Sequence, residues 1–283
     1  MTNPYPNAVY IGRMNRLEVV KEVEFGVYLD GEHLDTILLP KRYVPEGCNI
    51  GDWLDVFLYM DSEDLLIATT LQPKVQVGEC AYLKVTDINA AGAFLDWGLP
   101  KDLLVPYSEQ HKPMEVGRSY VVCVYLDPHS DRLVASSKLS HHLEEKNQSF
   151  QLLEQVDLLI CGRSDMGYKA VVNHTHLGLI FKDEAFKTLS YGQHLKGYIK
   201  DIRSDHKINL SLQLPAAVGR DELTEKIVQH LKANNGHSHL TDKCAAEEIY
   251  KIFNVSKNNY RKALGKLYKA RKILIETDRI TLL

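Results

Sequence analysis

The sequence lacks the patterns that mark membrane-spanning, secreted and disulfide-rich proteins. No apolar run approaches the roughly 18 residues that a membrane-spanning helix needs. The N-terminal residues have no basic segment followed by an apolar one, so we expect no secretory signal. The five cysteines are scattered without a close pair, which is the wrong spacing for a zinc site and a weak one for a disulfide framework. We therefore expect reduced, mostly buried cysteines in a cytoplasmic protein.

The sequence also lacks the motifs of common enzyme classes. It has no Gly-rich phosphate loop, no Gly-x-Ser-x-Gly and no His-Glu-x-x-His. Two histidine pairs, His174 with His176 and His237 with His239, have no carboxylate or thiol at a spacing that fits a metal site. We therefore predict a protein that is not an enzyme, with no catalytic residue, no metal and no cofactor.

Charge is distributed unevenly along the chain. The formal net charge is −3, but residues 1–76 carry six Lys or Arg against twelve Asp or Glu. Residues 221–283 carry twelve basic residues against eight acidic ones. Because phosphate contacts supply most non-specific affinity for nucleic acids, a polyanion should be drawn to the C-terminal half first.

Three sets of residues repeat along the chain at the same two intervals, 66 and 75 residues. A repeat of this length fits a small domain and is too long for one turn of a solenoid. Within each copy, apolar or alternating runs separated by turn signals predict five short strands, which is typical of a small closed barrel of the OB type. The repeating residues are Gly26, Gly92 and Gly167; Gly51, Gly117 and Gly192; and Leu38, Leu104 and Leu179.

The second copy resembles the RNA-binding OB domain named after ribosomal protein S-one. The residues that carry this resemblance are Gly92-Ala93-Phe94-Leu95, Leu103 to Ser108, Val116-Gly117-Arg118 and Ala135-Ser136. The resemblance covers about residues 8–215, clearly in the first two copies and loosely in the third. It implies that aromatic residues of the second strand stack on RNA bases.

The copies differ at the two positions of the second strand where that family carries aromatic residues. The first copy has Phe25 and Tyr28, the second has Ala91 and Phe94, and the third has Met166 and Lys169. The first copy therefore has both aromatic residues but is also the most acidic. There, stacking would favour RNA binding while the negative charge would repel the phosphates. We predict that the barrel faces bind RNA through Phe25, Tyr28, Phe94, Tyr107, Tyr168 and Lys169.

Beyond residue 219 the apolar period changes from that of strands to that of helices. Leu223, Ile227 and Leu231 predict one helix, residues 245–253 a second, and Ser256 is a good N-cap for a third that ends near Ala270. A hairpin over residues 272–283 then completes a winged helix-turn-helix. Seven basic residues and no acidic one lie between Ser256 and Lys272. We predict that this unit contacts nucleic acid through Lys257, Arg261, Lys262, Lys266, Lys269 and Lys272.

The predicted fold is multidomain and mainly β, with three tandem five-stranded OB-type barrels followed by an α+β winged helix-turn-helix. Residues 140–156, in which Leu143 and Phe150 lie among charged residues, predict a helical connector. The predicted domain bounds are 1–73, 74–139 and 157–216 for the barrels, 140–156 for the connector and 217–283 for the winged helix domain.

The combination of three S-one-like copies and a winged helix resembles the bacterial conserved virulence factor B family, whose tail is similar to residues 256–273. That resemblance implies a cytoplasmic RNA-binding protein that affects gene expression without a known chemical reaction. The predicted partner is single-stranded RNA, with no membrane. Two alternatives stay open: a DNA-binding transcription regulator led by the winged helix, and an adaptor on the ribosome or polymerase. OB folds and winged helices also serve as protein-contact modules.

Overall fold

The chain folds into three closed five-stranded barrels followed by a small domain of helices and a three-stranded sheet. This is a computed structural model that describes residues 8–283 except 129, 131, 148, 183, 186–187, 214–219, 254 and 277. The predicted fold class is confirmed. None of the helices in the described part of the chain has the length and apolar character required to span a membrane.

All three barrels share one topology. The first strand pairs antiparallel with the second and the fourth, and the fifth strand pairs parallel with the third and closes the barrel against the fourth. Barrel one comprises β1 (Met14–Val23), β2 (Gly26–Asp30), β3 (Thr36–Pro40), β4 (Trp53–Met60) and β5 (Leu66–Thr69). Barrel two comprises β6 (Cys80–Asn89), β7 (Gly92–Asp96), β8 (Leu103–Pro106), β9 (Ser119–Leu126) and β10 (Leu133–Ser136). Barrel three comprises β11 (Gln155–Arg163), β12 (Gly167–Val172), β13 (His176–Phe181), β14 (His194–Ile202) and β15 (Ile208–Ser211).

The repeated glycine that opens the second strand of each barrel has a steric cause. A Cβ at Gly26, Gly92 or Gly167 would lie 2.0–2.2 Å from a backbone carbonyl oxygen of the third strand. Real Cβ atoms do not approach an oxygen so closely, so a side chain here would push the second and third strands apart. This close approach explains why glycine recurs at the start of the second strand.

In barrels one and two, the outward face of the fourth strand packs against the next barrel. In barrel one, Phe57 and Tyr59 point away from their own core, and the Phe57 ring meets Trp97 of barrel two edge to face at 5.6 Å. In barrel two, Val121 lies in a buried cluster with Leu159 and Val171 of barrel three. The three barrels are therefore joined through apolar surface and not only through linkers.

The prediction of a helical connector over residues 140–156 is wrong for the residues described. Its described residues comprise the end of a short 3-10 helix, Leu139–His141, then turns and irregular backbone, and finally the start of β11 at Gln155. Leu143 is buried between barrels two and three, and Glu144 exchanges backbone hydrogen bonds of 2.9 Å with Thr175 and Leu177. The apolar residues of this segment thus pack individually on the barrels, which a continuous helix would not allow.

The expectation of reduced cysteines is wrong for two of the five. Cys80 in β6 and Cys123 in β9 lie directly opposite each other, with Cα atoms 4.0 Å apart, and form a disulfide. They are 43 residues apart in the chain, so only the register of β6 and β9 brings them together. Cys48, Cys161 and Cys244 are free thiols.

The C-terminal domain has the predicted helices and hairpin. Its elements are α1 (Arg220–Ala233), β16 (His237–Ser238), α2 (Ala246–Phe253), α3 (Lys257–Lys269), β17 (Ile273–Ile275) and β18 (Ile280–Leu282). The Ser256 hydroxyl accepts a hydrogen bond from the backbone N–H of Asn259 at 3.2 Å, which caps α3. Tyr260 is fully buried and donates to the carbonyl of Leu240 at 2.7 Å. The predicted boundary at residues 216 and 217, and Thr277 of the hairpin turn, lie outside the described residues.

Candidate nucleic-acid interface

Each barrel presents one side chain of its second strand at the same outward position. Tyr28 in β2 pairs with Leu38, Phe94 in β7 pairs with Leu104, and Lys169 in β12 pairs with Leu179. The three leucines are all partly exposed, so each pair forms an amphipathic patch on the barrel wall. These patches are formed by the second and third strands, the part of an OB fold that binds oligonucleotides.

Barrel one carries two aromatic rings on this wall. Phe25 is 57% exposed, and its ring meets that of Tyr28 edge to face at 6.4 Å. The ammonium of Lys21 lies 5.9 Å from the centre of the Tyr28 ring. An exposed ring and a partly exposed one beside a lysine can stack on bases and attract a phosphate, although barrel one as a whole is acidic.

Barrel two carries a cleft of about 440 Å³ beside Phe94. One wall belongs to barrel two and the other to the end of β4 in barrel one, where Tyr59 and Met60 lie. The polar side chains that line the cleft within the described part of the chain are Asp87, Asn89, Lys101, Asp102 and Arg132. A volume of this size accommodates a nucleotide, and the cleft combines an aromatic ring with both cations and carboxylates.

Tyr107 follows β8 and contacts the end of β6, the strand that pairs with β7, where Phe94 lies. Its side chain is about half exposed, and its hydroxyl donates to the carbonyl of Asn89 at 2.8 Å. The ring is therefore partly accessible, while the hydroxyl already donates a hydrogen bond. Tyr107 can offer stacking but no further donated hydrogen bond without losing that contact.

Tyr168 in barrel three does not face outward, so its assignment as an RNA-binding residue is wrong. It is buried in the core of barrel three. It follows the repeated glycine directly, as Val27 and Ala93 do, and all three positions point into their barrels because strand residues alternate between faces. The guanidinium of Arg163 lies 5.6 Å from the Tyr168 ring.

The outward positions of β12 carry no aromatic residue. Lys169 is exposed and lines a cleft of about 280 Å³ together with Met166, which is also exposed. Arg203, Lys207 and Asn209 line the same cleft. Glu145 and Asp205 line it as well and pair with Lys207 and Arg203. At the two outward positions, barrel three therefore has a lysine and a methionine where barrel one has two aromatic rings.

The six basic residues predicted on the winged helix have two different roles. Lys257 donates to the carbonyls of Cys244 at 2.6 Å and Lys243 at 3.3 Å, and Arg261 donates to the carbonyl of Asp242 at 3.1 Å. These two side chains hold the loop before α2 against α3. Of the six, Lys257 is partly buried, and the other five, Arg261, Lys262, Lys266, Lys269 and Lys272, are exposed.

The histidine pair in barrel three belongs to the packing of the barrel and not to its surface. His174 Nδ1 accepts a hydrogen bond from the backbone N–H of Cys80 at 3.0 Å, across the junction with barrel two. His176 is buried, and burial lowers its pKa even though a carboxylate oxygen of Glu144 lies 3.6 Å from Nε2. Within the described residues, no group of three or more His, Cys, Asp or Glu side chains is arranged to hold a metal ion.

Several residues of the two clefts were missed by sequence reasoning. Lys101 and Arg132 line the cleft of barrel two, and Arg203 and Lys207 line that of barrel three. Each lies in a loop or at a strand end outside the repeated motifs, so no spacing in the sequence marks it. The signal that could have found them is the loop position itself, because the loops of an OB fold flank its binding wall.

Comparison with known protein families identifies the domains. The S1 domain model matches residues 11–71 and 77–138, which contain barrels one and two, and the CvfB-like winged helix domain model matches residues 225–282. Both are kinds of domain that bind nucleic acid, and neither is an enzymatic kind. Barrel three lies outside these matched ranges.

The relatives that match over almost the whole chain include the following three. The Bacillus subtilis protein called "Uncharacterized protein YitL" is 28% identical over 279 residues, covering 94% of this chain and 91% of that protein. Conserved virulence factor B of Staphylococcus saprophyticus is 27% identical, covering 96% of this chain and 94% of that protein. The protein of the same name from Staphylococcus aureus is 26% identical with the same coverage.

A solved structure from Streptococcus pneumoniae also matches. It is described as a multidomain protein with nucleic acid binding domains. The match covers 96% of this chain and 98% of that one, at 22% sequence identity and a TM-score of 0.41.

Proposed function

We propose that this chain, which belongs to the conserved virulence factor B family through its two S1 domains and its CvfB-like winged helix, is a non-catalytic RNA-binding protein. It holds single-stranded RNA on the walls formed by the second and third strands of its barrels and on the exposed lysines of α3. It acts in the bacterial cytoplasm as a post-transcriptional regulator of gene expression.

The observation that carries this proposal is the repeated outward position on three barrels of one topology. Tyr28, Phe94 and Lys169 occupy equivalent sites, each beside a partly exposed leucine. Bases stack on aromatic rings whatever their sequence, and each stacked base contributes about 1–3 kcal/mol. A single strand with accessible bases can use this arrangement, whereas a duplex keeps its bases paired and stacked internally.

Tandem weak sites explain how modest single contacts can add up. Once one barrel holds the strand, the neighbouring barrel meets the next nucleotides at a high effective concentration. The apolar contacts between neighbouring barrels limit how far these sites can move apart. The lysines of α3 then add phosphate contacts at the C-terminal end, where the chain is most basic.

A binding assay with matched variants tests this function. Fluorescence anisotropy is measured with a labelled single-stranded RNA of about 20 nucleotides and with duplex DNA of the same sequence, at low and at moderate salt. We expect affinity for RNA to fall steeply with salt. Phe25→Ala and Phe94→Ala should each weaken it by about 5- to 150-fold, as expected from the loss of about 1–3 kcal/mol for one stacked base. Lys262→Ala with Lys266→Ala should weaken it further.

The matched control is Trp53→Ala. Trp53 is as exposed as Phe25, 56% against 57%, but it lies in the fourth strand of barrel one. It should change affinity for RNA by less than about twofold, a difference well below the free energy of one stacked base. Absence of RNA binding at low salt contradicts the proposal. A preference for duplex DNA would favour the transcription regulator, since four exposed lysines lie on and beyond α3.

A further inference from the structure

The cleft beside Phe94 contains two cations that are both paired with one carboxylate of the neighbouring barrel. Asp64 lies in the turn between β4 and β5 of barrel one. One of its oxygens pairs with the guanidinium of Arg132, and the other lies 3.6 Å from the ammonium of Lys101. Lys101 also donates to the backbone carbonyl of Asp61 in the same turn. Lys101 and Arg132 are the cations that line this cleft within the described part of the chain.

The acidic turn is held in place by its own hydrogen bonds. A carboxylate oxygen of Asp61 accepts from the backbone N–H groups of Glu63 at 2.8 Å and Leu65 at 3.0 Å. Asp64 then adopts the left-handed backbone region, with φ of 60°. The hydrogen-bonded turn therefore fixes the backbone of Asp64 so that its carboxylate faces barrel two.

The three paired side chains stay partly exposed. Their exposed fractions are 37% for Lys101, 46% for Asp64 and 54% for Arg132. Exposed ion pairs of this kind contribute little to stability and exchange readily with other ions. A phosphate that enters the cleft can therefore replace the carboxylate without unfolding either barrel.

We propose that this cleft is a composite nucleotide site formed by two barrels. A phosphodiester group of the bound RNA strand replaces Asp64 as the partner of Lys101 and Arg132, while the adjacent base stacks on Phe94. This proposal rests on the proposed function. It adds the position of one RNA-binding site, the phosphodiester as the group bound there, and Asp64 as the carboxylate that competes with it. Asp64 occupies the place of the phosphate in the free protein, so barrel one lowers the affinity of barrel two for a polyanion.

The composition of the cleft favours this placement of the phosphate. Asp87 and Asp102 also line it and would repel a phosphate, and one oxygen of Asp102 already accepts from the Thr86 hydroxyl at 2.8 Å. The Lys101 and Arg132 side is therefore the one that a phosphodiester can approach. A planar guanidinium beside an ammonium suits phosphate oxygens because both donate charge-assisted hydrogen bonds.

The test compares Asp64→Asn with Glu63→Gln. Asparagine keeps the size of the side chain and accepts a positive φ, so the turn should persist. Asp64→Asn should raise affinity for the same RNA about three- to tenfold at low salt and steepen its salt dependence by up to about 0.7 for each freed cation. Glu63→Gln removes the same charge one residue away. Glu63 is exposed and forms no ion pair within the residues that the structure describes. Glu63→Gln should change affinity by less than about twofold, because Lys101 and Arg132 pair with Asp64 and not with Glu63.

Arg132→Ala in the Asp64→Asn background should remove most of the gain. Unfolding midpoints of all variants are measured alongside, and Asp64→Gly, which also accepts this backbone conformation, replaces the asparagine variant if that one is unstable. An Asp64→Asn protein that binds like the wild type, or a gain equal to that of Glu63→Gln, overturns the inference. If the Phe25 and Phe94 variants still lose affinity in that case, the proposed function stands. If the wild type binds no RNA, both fail.

Discussion

The ring of Tyr82 in barrel two lies directly over the backbone of Gly192 in barrel three. A Cβ at Gly192 would lie 2.4 Å from two carbons of that ring. The rings of Tyr82 and Tyr191 meet edge to face at 5.5 Å, and the Tyr191 hydroxyl accepts from the backbone N–H of Val121 at 2.9 Å. The glycine that recurs before the fourth strand thus has a second role in barrel three, because it leaves room for the neighbouring barrel.

Gly192→Ala should destabilise the protein more than Gly117→Ala does. Both glycines have a positive φ, 80° and 83°, so both substitutions carry the same backbone strain. A Cβ at Gly117 meets nothing within 4 Å, whereas one at Gly192 meets the Tyr82 ring. We expect Gly192→Ala to lower the free energy of unfolding by about 1–3 kcal/mol more than Gly117→Ala, as overpacking does. Urea denaturation of both variants measures this, and equal losses would contradict it.

Lys257→Ala and Lys262→Ala should separate stability from binding. Lys257 donates to two carbonyls in the loop before α2, so its loss should lower the stability of the winged helix domain by about 1 kcal/mol. Lys262 is exposed, so its loss should leave stability unchanged and reduce the salt dependence of RNA binding by about 0.7. Thermal unfolding and anisotropy at several salt concentrations check both. A Lys257→Ala protein that is fully stable but binds poorly would place Lys257 among the contact residues.

The protein should lose stability as the pH falls below about 6.5, the usual pKa of histidine. Burial lowers the pKa of His176 in the folded state, so the unfolded chain takes up a proton at a higher pH than the folded chain does. Burial lowers the pKa of His230 as well, in the winged helix domain, and acts in the same direction. Urea denaturation from pH ~7 to ~5 should show the free energy of unfolding decreasing with acid.

His176→Gln should make the acid-dependent loss of stability shallower. It removes the buried imidazole. A pH dependence as steep as that of the wild type would show that His176 does not control the acid sensitivity of barrel three.

Reduction of the disulfide should weaken the junction of barrels two and three. Cys80 and Cys123 lie in the buried cluster that joins these barrels. Dithiothreitol should lower the free energy of unfolding by about 2–4 kcal/mol, and Cys80→Ser with Cys123→Ser should no longer respond to it. Cys48→Ser is the control, since Cys48 is a free thiol in barrel one. An oxidised protein whose stability does not respond to the reductant contradicts this prediction.

Alkylation of the free thiols should be selective. Burial raises the pKa of the Cys161 thiol to about 11, so at neutral pH it carries almost no thiolate and is shielded in the same cluster. Iodoacetamide should therefore label Cys244 in the native protein well before Cys161. Mass spectrometry of the labelled peptides measures the order, and equal rates would show that the junction between the barrels opens.

The architecture was predictable because its signals are local. The glycine at the start of each second strand, the turn residues and the Ser256 cap each act within a few residues, so the strand order and α3 could be inferred without knowledge of distant contacts. Tyr168 was misassigned because its residue type suggested stacking, while the alternation of strand residues places it inside the barrel. The segment 140–156 was misassigned because its apolar residues serve two different barrels and not one helix face.

The sequence by itself determined that one β-barrel is repeated three times and that a basic helical domain follows. Only the tertiary structure decided how the barrels meet. Asp64 and Arg132 lie 68 residues apart, and Cys80 and His174 lie 94 residues apart, yet each pair is in contact. Backbone preferences and alternating burial act between neighbours in the chain, whereas such contacts depend on how two finished barrels pack. The cleft beside Phe94 and its internal carboxylate exist only because of that packing.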